Sequence, residues 1–253
     1  MVWRVHGVDR SEAVSVTLTE EAHRTSLEIQ ARLEENAPNY SRWIVSQAAP
    51  HVGQRLLDVG CSTGNITRHF ADRELVVGVD ANPYALRLAR ESWASRPNVE
   101  LLEMSVPSPE LIEVGNRGFD TVTCINVIEH IQDDVEALRQ MAHALHPRGR
   151  LFLLAPANPW LYGSMDASDH HYRRYTKAGL WSAVEQAGLR PLSIQAMNAV
   201  GALGWFVNGR ILRRELIPST QAGLYDRFIP AIARIERVLP PPVGQSLVLV
   251  AER

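Results

Sequence analysis

The chain is 253 residues long, 45% hydrophobic and 21% charged, with a formal net charge of −2 at pH 7. That length suits one domain with insertions and a large core, and the charge balance offers no extended nucleic-acid surface. Two cysteines, Cys61 and Cys124, read as free thiols, the N-terminus lacks an apolar signal segment, and no run approaches the ~20 apolar residues of a membrane span, so a cytoplasmic protein is expected.

Residues 1–18 show no clear period. Thr19 can cap a helix carrying Glu20 and Glu21 in its first turn and running to about Glu35. Asn36-Ala37-Pro38 breaks it, and a second helix is expected over 40–49. Strands are expected over 55–59, 76–80, 99–103, 121–125 and 151–155, alternating with helices over 64–71, 83–94, 108–114 and 133–145. This alternation predicts an α/β fold, a mostly parallel sheet with helices on both faces. A helix over 180–187 and strands over 192–197 and 247–251 follow.

Two stretches exceed what such a sheet needs: 156–176, and 199–241 with Trp205, Phe206, Ile211, Leu212, Phe228 and Ile232. Long connections are functional or hold helices of their own. A helical pair is expected in the second, as a lid or a homodimer surface. The chain then divides into an N-terminal helical cap (1–50), an α/β core (51–198), a helical insertion (199–241) and the last strand of the core (242–253).

The densest information lies in Leu56-Leu57-Asp58-Val59-Gly60-Cys61-Ser62-Thr63-Gly64. An apolar run ends in an acid, and glycines let the backbone turn sharply and approach a ligand. Asp80 ends the next apolar run about 20 residues on, where an acid binds ribose hydroxyls. Ser62 and Asn65 stand where a dinucleotide fingerprint has glycines, and Asn65-Ile66 follows Gly64 where a phosphate loop has Lys-Ser/Thr. A ligand with ribose and without phosphate fits, and S-adenosylmethionine (SAM) is the candidate.

Four segments then carry a family resemblance: 57–64; Gly78-Val79-Asp80-Ala81-Asn82; Phe119 to His130; and Leu145 to Leu153. In order and over roughly 36–198 they resemble the class I SAM-dependent methyltransferases, in particular bacterial small-molecule enzymes. The resemblance implies a Rossmann-like sheet of seven strands. It also implies a cofactor site of Asp58, Gly60, Cys61, Ser62 and Gly64 in the loop, Asp80, Ala81 and Asn82 at the ribose, and Asn126 and Val127 near the sulfonium. Met104 and Ser105 stand where the family commonly has an acid for the adenine amino group. Tyr40 lies in a segment that closes over the cofactor in similar proteins; packing of a surface helix by Trp43 is the competing reading.

The acceptor half is less determined. His130 directly follows the fourth strand and can take a proton from a hydroxyl near neutral pH. The loop Asp166-Ala167-Ser168-Asp169-His170-His171-Tyr172-Arg173-Arg174-Tyr175 offers a second base, His171 or His170, oriented by Asp166 or Asp169. His171 is favoured slightly over His130. Arg173 and Arg174 could hold an anionic group of the substrate, with Tyr172 beside them; alternatively both arginines pair with Asp166, Asp169 or Glu185 to order the loop. Trp160, Tyr162 and Trp205 supply apolar walls. No metal is expected, because adjacent histidines rarely point the same way. The reading is a SAM-dependent methyltransferase acting on a small-molecule acceptor, with a hydroxyl favoured. N- or C-methylation of a small molecule is an alternative. So is methylation of RNA or protein, against which stand the absence of an Asn-Pro-Pro-Tyr motif and of an appended basic domain.

Overall fold

A computed structural model describes residues 36–93 and 95–253. The helix expected to end at about Glu35 lies outside them. Seven strands form one sheet: β1 Arg55–Val59, β2 Leu75–Asp80, β3 Val99–Glu103, β4 Phe119–Ile125, β5 Leu145–Pro156, β6 Arg190–Met197 and β7 Ser246–Glu252. Their order is β3-β2-β1-β4-β5-β7-β6. β1 to β5 run parallel, while β7 lies antiparallel between β5 and β6. The expected fold class, an α/β sheet of seven mostly parallel strands, is what forms.

Strands buried on both faces read as continuous apolar runs. Leu57, Val59, Val77, Val79 and Val122 supply one layer, while Leu56, Val76, Phe152 and Val250 supply the other with Trp43 and Ile44 of helix α1 (Pro38–Ala48). The strand order reverses at β1, whose Val59 lies level with Val79 of β2 and Cys124 of β4. Open α/β sheets bind ligands at the carboxyl ends of strands beside such a switch point.

The helices are α2 Pro83–Trp93, α3 Pro109–Gly115, α4 Asp134–Ala144, α5 Ser164–Ser168 and α6 Lys177–Gln186, then α7 Ala199–Trp205, α8 Ser219–Asp226 and α9 Ile229–Val238. Several starts are capped by side chains: Ser108, Asp133 and Thr176 each accept a backbone N–H three residues on, and the Thr176 cap starts α6 at Lys177, ahead of the expected 180. Two expectations are corrected. The helix over 64–71 shrinks to a 3-10 turn, Thr67–Phe70. Its β-branched residues lower helix propensity, and the Thr67 hydroxyl is drawn to Asp58. The expected pair in 199–241 is three helices with a turn of π-helix, Phe206–Ile211, after the first. Pro218 precedes α8 and Pro230 opens α9, so the chain restarts twice. Asp226 fastens this insertion to α1, accepting the backbone N–H of Asn39 at 3.0 Å and of Tyr40 at 2.9 Å.

Candidate active site

The glycine loop is a backbone construction. Gly60 has φ +75° and Gly64 φ +78°, in the left-handed region, and a Cβ at Gly60 would stand 2.1 Å from Val127 Cγ2. The Gly60 and Cys61 amides donate to the Val79 carbonyl at 2.8 and 3.0 Å, hanging the loop on β2. Asp80 braces it from the side: its carboxylate accepts the Ser62 N–H and the Asn82 N–H, both at 2.8 Å. Asn82 in turn caps α2 through the amides of Tyr84 and Ala85. Asp80, Ser62 and exposed Ala81 thus meet at the carboxyl edge of the sheet.

Asp58 has a different part from the one expected. It is buried and accepts hydroxyl hydrogens from Thr67 and, at 2.7 Å, from Thr123. Burial pushes its pKa up to about 6 against those two hydroxyls. Its carboxylate fastens β1 to β4 and to the turn after the loop, from beneath. Cys61 is buried too, and burial raises its thiol well above the usual range. It is packing beside Gly78, where a Cβ would come 2.8 Å from its Sγ.

Met104 donates its N–H to the Asp80 carbonyl at 3.0 Å and packs against the core, with Ser105 exposed beyond it. Asn126 ends β4 with φ +52°, exposed, its N–H on the Leu154 carbonyl at 2.9 Å. The loop, Asp80 and Asn126 all lie at the carboxyl edge around β1. This donor set, an acid at the second strand beside open backbone and without a lysine for phosphate, fits SAM.

Helix α1 crosses this edge. From its first turn, Ser41 Oγ accepts from Asn65 beside the glycine loop at 3.4 Å. The neighbouring Tyr40 hydroxyl points to the side chains of Ser246 at the start of β7 and Asn198 just past β6. Burial, opposed by those side chains and by the charge of Arg174, raises the Tyr40 pKa. Tyr40 therefore stands on the acceptor side of the edge.

The loop after β5 folds around one carboxylate. Asp166, fully buried, accepts the Arg174 Nε–H at 2.6 Å, the His171 Nδ1–H at 2.9 Å, the Gly163 N–H at 2.9 Å and the Trp205 Nε1–H at 3.1 Å. Burial alone would raise its pKa; the bonds from His171, Arg174, Gly163 and Trp205 overcome that and lower it. Arg174, buried, also donates to the Ala157 carbonyl at 3.0 Å and lies 4.8 Å from the Trp205 ring. Arg173 pairs with Asp134 at 2.8 Å and donates to the Gln132 carbonyl at 2.7 Å. The expectation that Arg173 and Arg174 hold substrate is corrected: Arg174 orders the loop on Asp166, as the competing reading had it, and Arg173 ties it to Asp134, a partner that reading did not name. Trp205 is likewise a brace on Asp166.

His171 corrects a second expectation. Its Nδ1 faces Asp166 at 2.9 Å and its Nε2 faces Asp169 at 3.2 Å. Burial would lower its pKa, but the two carboxylate bonds raise it to about 9. A ring donating from both nitrogens is an imidazolium with no lone pair for a proton, so His171 is a poor base at neutral pH. His130 meets it edge-on, with ring centres 4.7 Å apart, and reaches solvent on its other side. Desolvation by the surrounding loop, with help from the His171 charge and against the pull of Asp169, lowers the His130 pKa, so this ring is neutral.

Beside them lies Glu129, which the sequence reading passed over although it adjoins His130. It is 1% exposed, and its Oε2 has no hydrogen-bond partner. Burial pushes its pKa to about 7 against the His171 charge. Glu129, His130 and His171 bring ligand-type atoms within 4.8 Å of one another, a spacing a divalent cation accepts. Tyr172 donates its N–H to the Glu129 carbonyl and has an exposed ring; Tyr162 donates its hydroxyl to the His171 carbonyl at 2.8 Å. His170 sits at φ +57° with its side chain at the surface. Trp160, exposed, leans on Phe206, and both line an open groove of about 390 Å³ with Ala199 and Leu203. A second groove, of about 620 Å³, runs between Tyr162, Gly163, Phe206 and Arg210. Among the described residues no helix is long and apolar enough to cross a membrane.

Comparison with known proteins agrees with this geometry. The profile of a family described as "Methyltransferase domain" matches residues 57–151. A ubiquinone biosynthesis O-methyltransferase of Paracidovorax citrulli is 31% identical over 198 residues, covering 71% of this chain and 82% of that protein. A solved S-adenosylmethionine-dependent methyltransferase from Mesorhizobium loti superposes with a TM-score of 0.53 at 15% identity, over 80% of this chain and 92% of that one. The chain belongs to the SAM-dependent methyltransferases. It is an enzyme of that class, with SAM as its methyl donor.

Proposed function

We propose that the protein methylates a hydroxyl oxygen of a small-molecule acceptor, with His130 taking the hydroxyl proton. The geometry that carries this reading is the solvent-reaching His130 ring in the turn after β4, edge-on to a His171 ring whose two nitrogens are both taken by Asp166 and Asp169. The O-methyltransferase relative supports the hydroxyl. When bound, SAM supplies an electrophilic methyl on a good leaving group. The protein's task is alignment, exclusion of water and removal of one proton. Asp80 and the glycine loop hold the ribose end, Asn126 and Val127 flank the reacting end, and Tyr40, Tyr172 and Trp160 wall the acceptor. Burial of the His130 ring, helped by the His171 charge that Asp166 and Asp169 fix, keeps His130 unprotonated. The reaction takes place in the cytoplasm and without a nucleic-acid partner, in keeping with the net charge of −2.

Replacing His130 by Ala should lower turnover about 10²–10⁴-fold and leave SAM affinity unchanged. The acidic limb of the pH–rate profile should vanish with it. Near-parental turnover would dismiss a histidine base and favour an amine or carbon acceptor.

One observation favours a second reading, the unpartnered Glu129 oxygen inside a cluster of ligand-type atoms. Here Glu129 and His130 would hold a divalent cation and acidify the acceptor hydroxyl. His171 would join only by releasing Asp166 or Asp169. Dialysis against EDTA separates the readings: a loss restored by a divalent cation selects the metal, and unchanged turnover selects the bare histidine.

A further inference from the structure

Helix α9, Ile229–Val238, is apolar on two sides. Its inner stripe of Ile229, Ile232 and Ala233 packs into the core. A second stripe, Phe228, Ala231, Ile235 and Val238, recurs at helical spacing and faces solvent: Phe228 is 58% exposed, Ile235 64% and Val238 85%. Leu239 continues it at 73%. A helix needs one apolar stripe to pack; exposed residues of this size in a row cover something else.

The charges say what. Residues 199–241 hold six arginines (210, 213, 214, 227, 234, 237) and no lysine, against Glu215, Asp226 and Glu236, which leaves +3 in a chain of −2. Two of the three acids are turned inward. Asp226 accepts the amides of Asn39 and Tyr40, and Glu236 those of Asn198 and Ala199 at 2.8 and 2.9 Å. All six arginines are exposed, and none forms an ion pair among the described residues. Arg227, Arg234 and Arg237 flank the apolar stripe, and Arg210, Arg213 and Arg214 stand beside exposed Ile211, Leu212 and Leu216.

We infer that this insertion is a docking surface for an anionic lipid bilayer, on which α9 lies in the plane of the headgroups. Large apolar side chains interleaved with cations suit that interface: the apolar stripe enters the acyl boundary and the guanidinium groups meet lipid phosphates. A second copy of the chain suits it less, because a two-fold contact through this face would bring the same arginines together. The inference stands apart from the identity of the acceptor and of the base.

Vesicle flotation of the full chain tests it. Binding is expected to vesicles containing about 30% phosphatidylglycerol, to be weak on pure phosphatidylcholine, and to fall with added salt. Ile235→Glu should abolish it. Arg234→Gln and Arg237→Gln should each weaken it roughly fivefold, the share of one basic residue near an anionic surface. These side chains are exposed, so thermal unfolding and methyl transfer to a water-soluble acceptor should match the parent. Failure to bind anionic vesicles, or binding unaffected by Ile235→Glu, overturns the inference. A dimer in solution that Ile235→Glu splits would assign the stripe to a second copy and overturn it too.

Discussion

Asp166 holds two cations in a place closed to water. Its oxygens accept from Arg174, His171, Trp205 and the Gly163 backbone, with no exposed surface left. Removing one partner of a buried ionic network leaves the others charged and unpaired, which costs about 3–5 kcal/mol. Asp166→Ala should therefore lower stability by that order in denaturant titration, while Asp169→Ala, with its partly exposed carboxylate, should cost much less. Equal effects would remove Asp166 from the centre of the loop. At this scale the sequence displayed the polar cluster and offered its pairings, but did not decide between pairing and substrate binding. His171 and Arg174 are chemically able to serve substrate, and only the fold shows that their donors are already spent on Asp166 and Asp169. Glu129 was hidden for the opposite reason: beside a histidine it reads as a helix-terminal charge, and its burial comes from tertiary packing.

The strand-turn-strand unit was the most legible element, because its geometry is written in backbone terms. Gly60 and Gly64 occupy positive φ, and Asp80 reaches across to the Ser62 amide. Periodicity read the strands well, since a strand buried on both faces leaves a short run of apolar residues bounded by turn residues. The turn after Gly64 was misjudged because Thr67 serves Asp58 instead of a helix, a tertiary demand that local propensity does not record. Asp80 does two things in this element, bracing the loop and presenting an acceptor for ribose hydroxyls. Asp80→Ala should lower SAM affinity at least tenfold, given roughly 1.5–3 kcal/mol for each hydrogen bond to a charged group. Calorimetric titration with SAM reads this directly, and parental affinity would reject the ribose assignment.

Across the whole molecule, three buried or half-buried groups tie stability to pH in the same direction. Asp58 goes from an ordinary 3.8 to about 6, Glu129 from 4.5 to about 7, and His171 from 6.5 to about 9. A pKa raised by folding means that the folded state binds the proton more tightly than the unfolded chain. Each contribution is then complete below the unfolded pKa and is lost as pH climbs through the folded one. Asp58 and Glu129 lose theirs between about pH 4 and 7 as buried carboxyls ionise, and His171 loses its share between about 6.5 and 9 as the ion pair with Asp166 and Asp169 discharges. Asp166 acts in the opposite sense below its ordinary 3.8, and His130, lowered from 6.5 to about 4, offsets part of the Asp58 and Glu129 loss between about pH 4 and 6.5, which leaves the His171 loss above pH 6.5 unopposed by it. The melting temperature should thus be highest in mildly acidic solution and fall by roughly 5 °C or more between pH 5 and pH 9. Asp58→Asn should flatten the part of the curve below pH 7, since an amide keeps the shape and carries no titrating proton. His171→Gln should lower the curve at acid pH and flatten its alkaline part. A melting temperature that stays level or rises from pH 5 to 9 in the parent would mean that these groups titrate in the folded protein much as they do in the unfolded chain. His171 would then be free to accept a proton near neutral pH, and the reason to prefer His130 over His171 as the base would be gone.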